Sequence, residues 1–285
     1  MRTLKTGFLL TALTLILLFG GEALGGSQGM TFGLILAVFM NGMAYFFSDK
    51  IALASSGARP VSREQAPRLY AVMERLTAKG NLPMPKLYVI PQAAPNAFAT
   101  GRNPSHASVA ATEGLLELMN DDELEGVIAH ELSHVRNYDI LTTSIAATLA
   151  GVISWIGYSA RWAMIFGGFG GNRDRRGGGG LEVLLMAVVA PIAAMLLQLG
   201  ISRQREYAAD AAGARLVGHP YGLISALEKL GAYNERIPMT NVTPATSSLY
   251  IVKPLSTGQV FMGLFSTHPP LPDRIEALRR MTITR

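Results

Sequence analysis

The run His130-Glu131-Leu132-Ser133-His134 carries the strongest chemical signal in the chain. Two histidines four apart share one face of a helix, so both imidazoles can reach a single metal ion. Glu131 lies one position round from the first of them. From there its carboxylate can reach a water beside the metal without occupying a coordination site, which is what a general base requires. A catalytic zinc takes three protein ligands and keeps a fourth position for water, so a third ligand must come from elsewhere. The chain has no cysteine, which leaves His, Asp or Glu. Among the remaining histidines, His106, His219 and His268, none has a partner at ligand spacing. The segment Arg205-Glu206-Tyr207-Ala208-Ala209-Asp210 is the alternative. Glu206 and Asp210 are again four apart on a predicted helix, so one can hold the metal while the other orients a ligand.

The elements that position these residues follow from periodicity. Asn120 with Glu123 forms a capping-box pattern, and Leu124, Val127, Ile128, Leu132 and Val135 then recur at helical spacing. They predict a helix from Asp121 to about Tyr138. Upstream, Leu69, Val72, Met73 and Leu76 predict a helix from Ala66 to Thr77, stopped before Pro83 and Pro85. Residues Lys86 to Ile90, Ala97 to Thr100 and Ser108 to Thr112 read as strands of a small antiparallel sheet.

Four apolar stretches surround this body: Gly7 to Leu24, Met30 to Phe47, Leu141 to Phe166 and Leu181 to Ile201. Each is near the roughly 20 residues that a membrane-spanning helix needs. A cleaved signal peptide competes for the first, but a second apolar run so close behind it favours a hairpin. Lys50, Arg59, Arg63 and Arg68 follow the second run and place the polar body on the cytoplasmic side. Residues 167–180, rich in Gly and carrying Arg173, Arg175 and Arg176, cannot bury a core. Their charge would lie on the outer side if the last two stretches span, so a re-entrant or surface-lying hairpin competes there. The expected organisation is an N-terminal transmembrane hairpin over 1–48, half of a catalytic domain over 49–140, a second apolar hairpin over 141–202, and the other half over 203–285. The first motif ends where one apolar stretch begins and the second starts where the next one ends, so both return to the same side of the membrane.

Composition fits. Apolar residues make up 49% of the chain, more than one soluble domain usually needs. The net charge of +5 comes from basic residues that flank apolar runs, and no groove-reading motif accompanies them, which argues against a nucleic-acid partner. Almost no charge lies within the apolar stretches, which argues against an ion path.

Taken together, the two N-terminal apolar runs, His130 to His134, the apolar pair, Glu206 to Asp210, and the C-terminal segment Ser266-Thr267-His268-Pro269-Pro270-Leu271-Pro272-Asp273-Arg274-Ile275 resemble the HtpX-type membrane metalloproteases, relatives of the type I CAAX prenyl proteases. The resemblance covers nearly the whole chain. It implies an α+β, mostly helical, integral membrane protein with a zincin-like catalytic domain and about four apolar helices. It implies one zinc ion per chain held by His130, His134 and Glu206, with Glu131 as base and Asp210 and Asn137 orienting the ligands. His268 would stabilise the oxyanion, and Asn96, Ala97 and Phe98 would belong to an edge strand that aligns an extended substrate. The expected activity is peptide-bond hydrolysis in misfolded or damaged membrane proteins, in the inner membrane and facing the cytoplasm. A processing protease for specific peptides and a zinc-stabilised scaffold without turnover are the competing functions. A closed structural zinc site needs no base, so Glu131 weighs against the scaffold.

Overall fold

In the computed structural model, residues 2–146, 148–149, 203–236 and 269–282 are described. The apolar stretch from Leu181 to Ile201, most of the stretch from Leu141 to Phe166, the 167–180 segment and His268 lie outside them.

The chain opens with α1 (Arg2–Ser55), helical except at Gly25 and Gly26, where the backbone leaves helical φ/ψ. Gly26 takes φ 59° with ψ −142°, a region closed to side chains with a Cβ, so glycine permits the break. The two arms fold back on each other. Asn41 donates to Thr14 Oγ1 at 2.8 Å and to the Leu10 carbonyl at 3.3 Å. Near the bend, Gly21 and Gly29 approach so closely that a Cβ on either would strike the other's carbonyl. The outer surface of the pair is apolar, with Phe19, Phe32, Val38 and Phe39 all more than 60% exposed. Gly25–Ser55, 31 residues, is long and apolar enough to cross a membrane, and Thr6–Glu22 forms a shorter apolar helix.

Beyond this hairpin come β1 (Arg59–Pro60), α2 (Pro67–Gly80), β2 (Lys86–Ile90), β3 (Ala97–Gly101), β4 (Ala107–Thr112), α3 (Glu113–Leu118) and α4 (Asp121–Arg136). Later segments contribute α5 (Arg203–Val217), α6 (Tyr221–Arg236) and α7 (Leu271–Arg279). The sheet order is β1-β2-β4-β3. The strands fall where the pattern places them, but the expected antiparallel sheet is instead mixed. β4 lies between β2 and β3, parallel to the first and antiparallel to the second. The link from β2 to β3 carries Pro91 and Pro95, so a tight hairpin between them does not form and β3 moves out to the edge.

α4 is the pillar of the body. Asn120 accepts from the Glu123 backbone N–H and Glu123 accepts from the Asn120 N–H, both at 2.9 Å, closing the capping box. Ser225 and Lys229 of α6 donate to the same Glu123 carboxylate at 2.6 and 2.7 Å, so the cap also docks α6. Leu124, Val127, Ile128, Leu132 and Val135 are fully buried against α2 and the sheet. Burying five such side chains contributes on the order of 10 kcal/mol before entropy is counted.

Candidate active site

α4 and α5 pack against each other along a stripe of small residues. On α5, Glu206, Ala209, Asp210, Gly213 and Ala214 are buried at helical spacing. A Cβ on Gly213 would meet the His130 backbone nitrogen at 2.9 Å, so this glycine sets how closely the helices approach. That closeness brings two motifs some 70 residues apart into one cluster.

His130 Nε2 and His134 Nε2 stand 3.2 Å apart. Glu206 faces both, with carboxylate oxygens 3.7 Å from His130 Nε2 and 3.5 Å from His134 Nε2. One ligand atom from each of the three residues lies within 4.8 Å of the others, a group that could hold a metal ion. Of the two acids at helical spacing on α5, Glu206 therefore faces the imidazole pair. Asp210 Oδ1 sits 2.8 Å from His130 Nδ1 on the far side of the ring. A proton on Nδ1 for Asp210 leaves the Nε2 lone pair pointing at Glu206, as a metal-ligating histidine requires.

Arg274 anchors Asp210. Its Nη2 and Nε donate to the two carboxylate oxygens at 2.6 and 2.8 Å, and its side chain is completely buried. This fork holds the Asp210 carboxyl down to about 2, against the burial that raises it. Sequence reasoning did not single out Arg274. The signal was a charged residue on the apolar face of α7, three after Leu271 and four before Leu278. His134 has its own acid: Asp139 Oδ2 lies 3.5 Å from His134 Nδ1, and Arg205 Nη1 donates to Asp139 Oδ1 at 3.2 Å. Asn137, expected to orient a ligand, caps α4 through its backbone N–H to the Ser133 carbonyl at 3.0 Å.

Glu131 is buried, and one of its oxygens accepts from the Ala99 backbone N–H at 2.9 Å. Burial and the Glu206 charge push its carboxyl up to about 7, against the pull of His134 and Arg274. Burial disfavours charge on His130 and lowers its pKa, although Asp210 opposes the shift. At His134 burial acts the same way but is outweighed by Asp139, Glu206 and Glu131, which raise it to about 9.

The donor set suits a divalent cation. Four buried carboxylates, Glu131, Asp139, Glu206 and Asp210, meet two guanidinium groups, Arg205 and Arg274. Among the described residues, with Glu131 ionised and both imidazoles neutral as metal ligation requires, the carboxylates outnumber the guanidinium groups by two, a charge that such an ion would offset.

The edge strand β3 passes beside this cluster. The Thr112 N–H donates to the Asn96 carbonyl at 2.8 Å, so the even-numbered residues face β4 and the main-chain groups of Ala97 and Ala99 point away from it, the Ala99 N–H onto Glu131; both residues are buried. The Asn96, Ala97 and Phe98 side chains are buried, Phe98 against Ala52 and Leu53 of α1.

Comparison with known proteins gives a consistent result. The profile described as Peptidase family M48 matches residues 63–282. A protein named Protease HtpX homolog from Desulfatibacillum aliphaticivorans is 56% identical over 275 residues, covering 96% of this chain and 88% of its own length. One of the same name from Syntrophotalea carbinolica is 53% identical over 283 residues, covering 99% of this chain and 100% of its own length. A crystal structure of S. mikatae Ste24p superposes with a TM-score of 0.53 at 20% identity, covering 97% of this chain and 64% of that one. At that identity the likeness is one of fold.

Proposed function

Because the chain belongs to peptidase family M48, as one of its HtpX-type members, we propose that it is a membrane-bound zinc endopeptidase with His130, His134 and Glu206 as ligands and Glu131 as general base. The observation that carries this reading is the convergence of the two Nε2 atoms and the Glu206 carboxylate, with the Glu131 carboxylate beside them. When bound, zinc supplies Lewis acidity toward a peptide carbonyl and toward water.

The chain's own residues do the rest. Asp210, locked by Arg274, keeps the His130 proton on Nδ1. Glu131, poised near neutrality, takes a proton from the attacking water and returns it to the leaving nitrogen. Its hydrogen bond from Ala99 ties the base to the strand along which substrate lies. An extended peptide pairs with the Ala97 main chain and the Ala99 carbonyl, the Ala99 N–H being held by Glu131, which gives affinity with little demand on substrate sequence. His268, six residues before Arg274, serves as N–H donor to the oxyanion; the docking of α7 on Asp210 supports this assignment.

The substrate class proposed is unfolded or damaged membrane protein, at the cytoplasmic face of the inner membrane. The outward apolar surface of α1 and the sequence-blind edge of β3 support it. The organisation proposed is an N-terminal hairpin, two catalytic halves and an apolar hairpin between them.

Cleavage of casein by the detergent-purified, zinc-loaded chain, with Glu131→Gln at equal zinc content, tests the reading. The wild type should cut and the variant should lose activity by about 10²-fold or more with zinc retained. Cleavage by Glu131→Gln at the wild-type rate would overturn the base assignment.

A further inference from the structure

α4 stops at Arg136, and Tyr138 takes φ 58°, a left-handed conformation uncommon for a bulky residue. Had the helix continued, Asp139, five positions beyond His134, would lie well round the helix from it. The left-handed turn instead brings the Asp139 carboxylate to His134 Nδ1 at 3.5 Å. A new helical segment begins at Asp139, and its next turns are pinned on two sides. Thr142 shares a 3.0 Å hydrogen bond with Thr6 of α1, and Ser144 one of 2.7 Å with Thr100 of β3. The carboxylate is thus held by its surroundings. Its other oxygen accepts from Arg205, the residue next to Glu206.

We infer that Asp139 is a positioning residue: it orients His134 through Nδ1 and, through Arg205, ties the end of α4 to the start of α5 that carries Glu206. This rests on the metallopeptidase reading above. An imidazole that ligates through Nε2 carries its proton on Nδ1, and a fixed acceptor there holds both tautomer and ring plane. Each histidine then has its own carboxylate and each carboxylate its own arginine: Asp210 with Arg274 behind His130, Asp139 with Arg205 behind His134. The two arrangements differ in origin. Asp210 reaches its histidine from another helix, whereas Asp139 needs the break after α4. Because Asp139 sits between the site and a segment bonded to α1 and β3, it also couples the orientation of His134 to the packing of the N-terminal hairpin.

The test is metal affinity, independent of turnover. The full chain in detergent is stripped with chelator and titrated with Co²⁺ against a competing chelator, with its visible absorption recorded. Asp139→Ala should weaken Co²⁺ binding roughly 10- to 100-fold and change the Co²⁺ spectrum, with far-UV circular dichroism unchanged. Arg205→Ala should act in the same direction by less, and the double variant should bind no more weakly than Asp139→Ala alone. Asp139→Asn keeps an acceptor for Nδ1–H and should recover part of the lost affinity; if Asp139→Ala does not fold, it decides the matter by its own loss against wild type. Affinity within twofold of wild type with an unchanged spectrum, in either folded variant, overturns the inference. A wild-type chain that takes up no Co²⁺ overturns the metallopeptidase reading, and this inference with it.

Discussion

The N-terminal hairpin and the catalytic body solve opposite problems. In the hairpin many large apolar side chains face outward, and the arms meet through closely approaching glycines, through Asn41 with Thr14 and through a small inner cluster that includes Leu9, Leu13 and Ala44. In the body the aliphatic side chains face inward, and the deepest polar groups form a charged cluster around His130 in which Arg274 is fully buried. The difference shows what each half uses as its ordering force. The body gains from removing apolar surface from water, and can therefore carry buried charge as long as each group is paired. On the proposed membrane reading the hairpin lies in hydrocarbon, where hiding apolar surface gains little, and close backbone approach with a few hydrogen bonds holds the arms together.

Four substitutions sharpen or break that contrast. Arg274→Ala leaves the Asp210 carboxylate buried without its fork and should cost about 3–5 kcal/mol, read from thermal unfolding of the detergent-purified chain, with metal affinity falling alongside. An unchanged melting temperature would mean that the buried pair does not organise the body. Val38→Arg places a charge on the outer face of the hairpin and should cost about 2.5–3.5 kcal/mol of insertion, seen as loss from the membrane fraction. Full membrane recovery would remove that face from the lipid. Gly213→Ala puts a methyl group against the His130 backbone and should cost about 1–3 kcal/mol, with the helices forced apart and metal affinity reduced. Its retention of both stability and affinity would show that α4 and α5 need not approach so closely. The smallest effect is expected for Asn41→Leu, which removes the bond to Thr14 and should cost about 0.6 kcal/mol in a bilayer. A loss several times larger would show that the hairpin depends on polar contacts as the body does.

Legibility in the sequence followed the range of the interactions. The capping box and apolar stripe of α4 are local, and the helix starts at Asp121 as they require. It ends at Arg136, two residues short of the expected boundary, because the left-handed turn at Tyr138 has no Gly or Pro to announce it. The strand positions were legible from alternation and turn residues, but their order was not, since alternation assigns a residue to a face and does not name the neighbouring strand. Spacing did not tell which groups of β3 turn away from β4: the side chains of Asn96, Ala97 and Phe98 are buried, and the main-chain groups pointing away belong to Ala97 and Ala99, with the Ala99 N–H on Glu131.

By itself the sequence determined the chemistry on offer: two imidazoles and a carboxylate on one helix, and a pair of acids four apart on another. These depend only on helical periodicity, which residue spacing encodes directly. Which of those acids meets the histidines, and which groups stand behind them, was decided by the tertiary structure. The approach of α5 to α4 at Gly213, the fork of Arg274 from α7 and the return of Asp139 after Tyr138 join residues far apart in the chain or across a break in the helix. Spacing carries no record of such meetings, because they follow from how whole elements pack to bury apolar surface and pair buried charge.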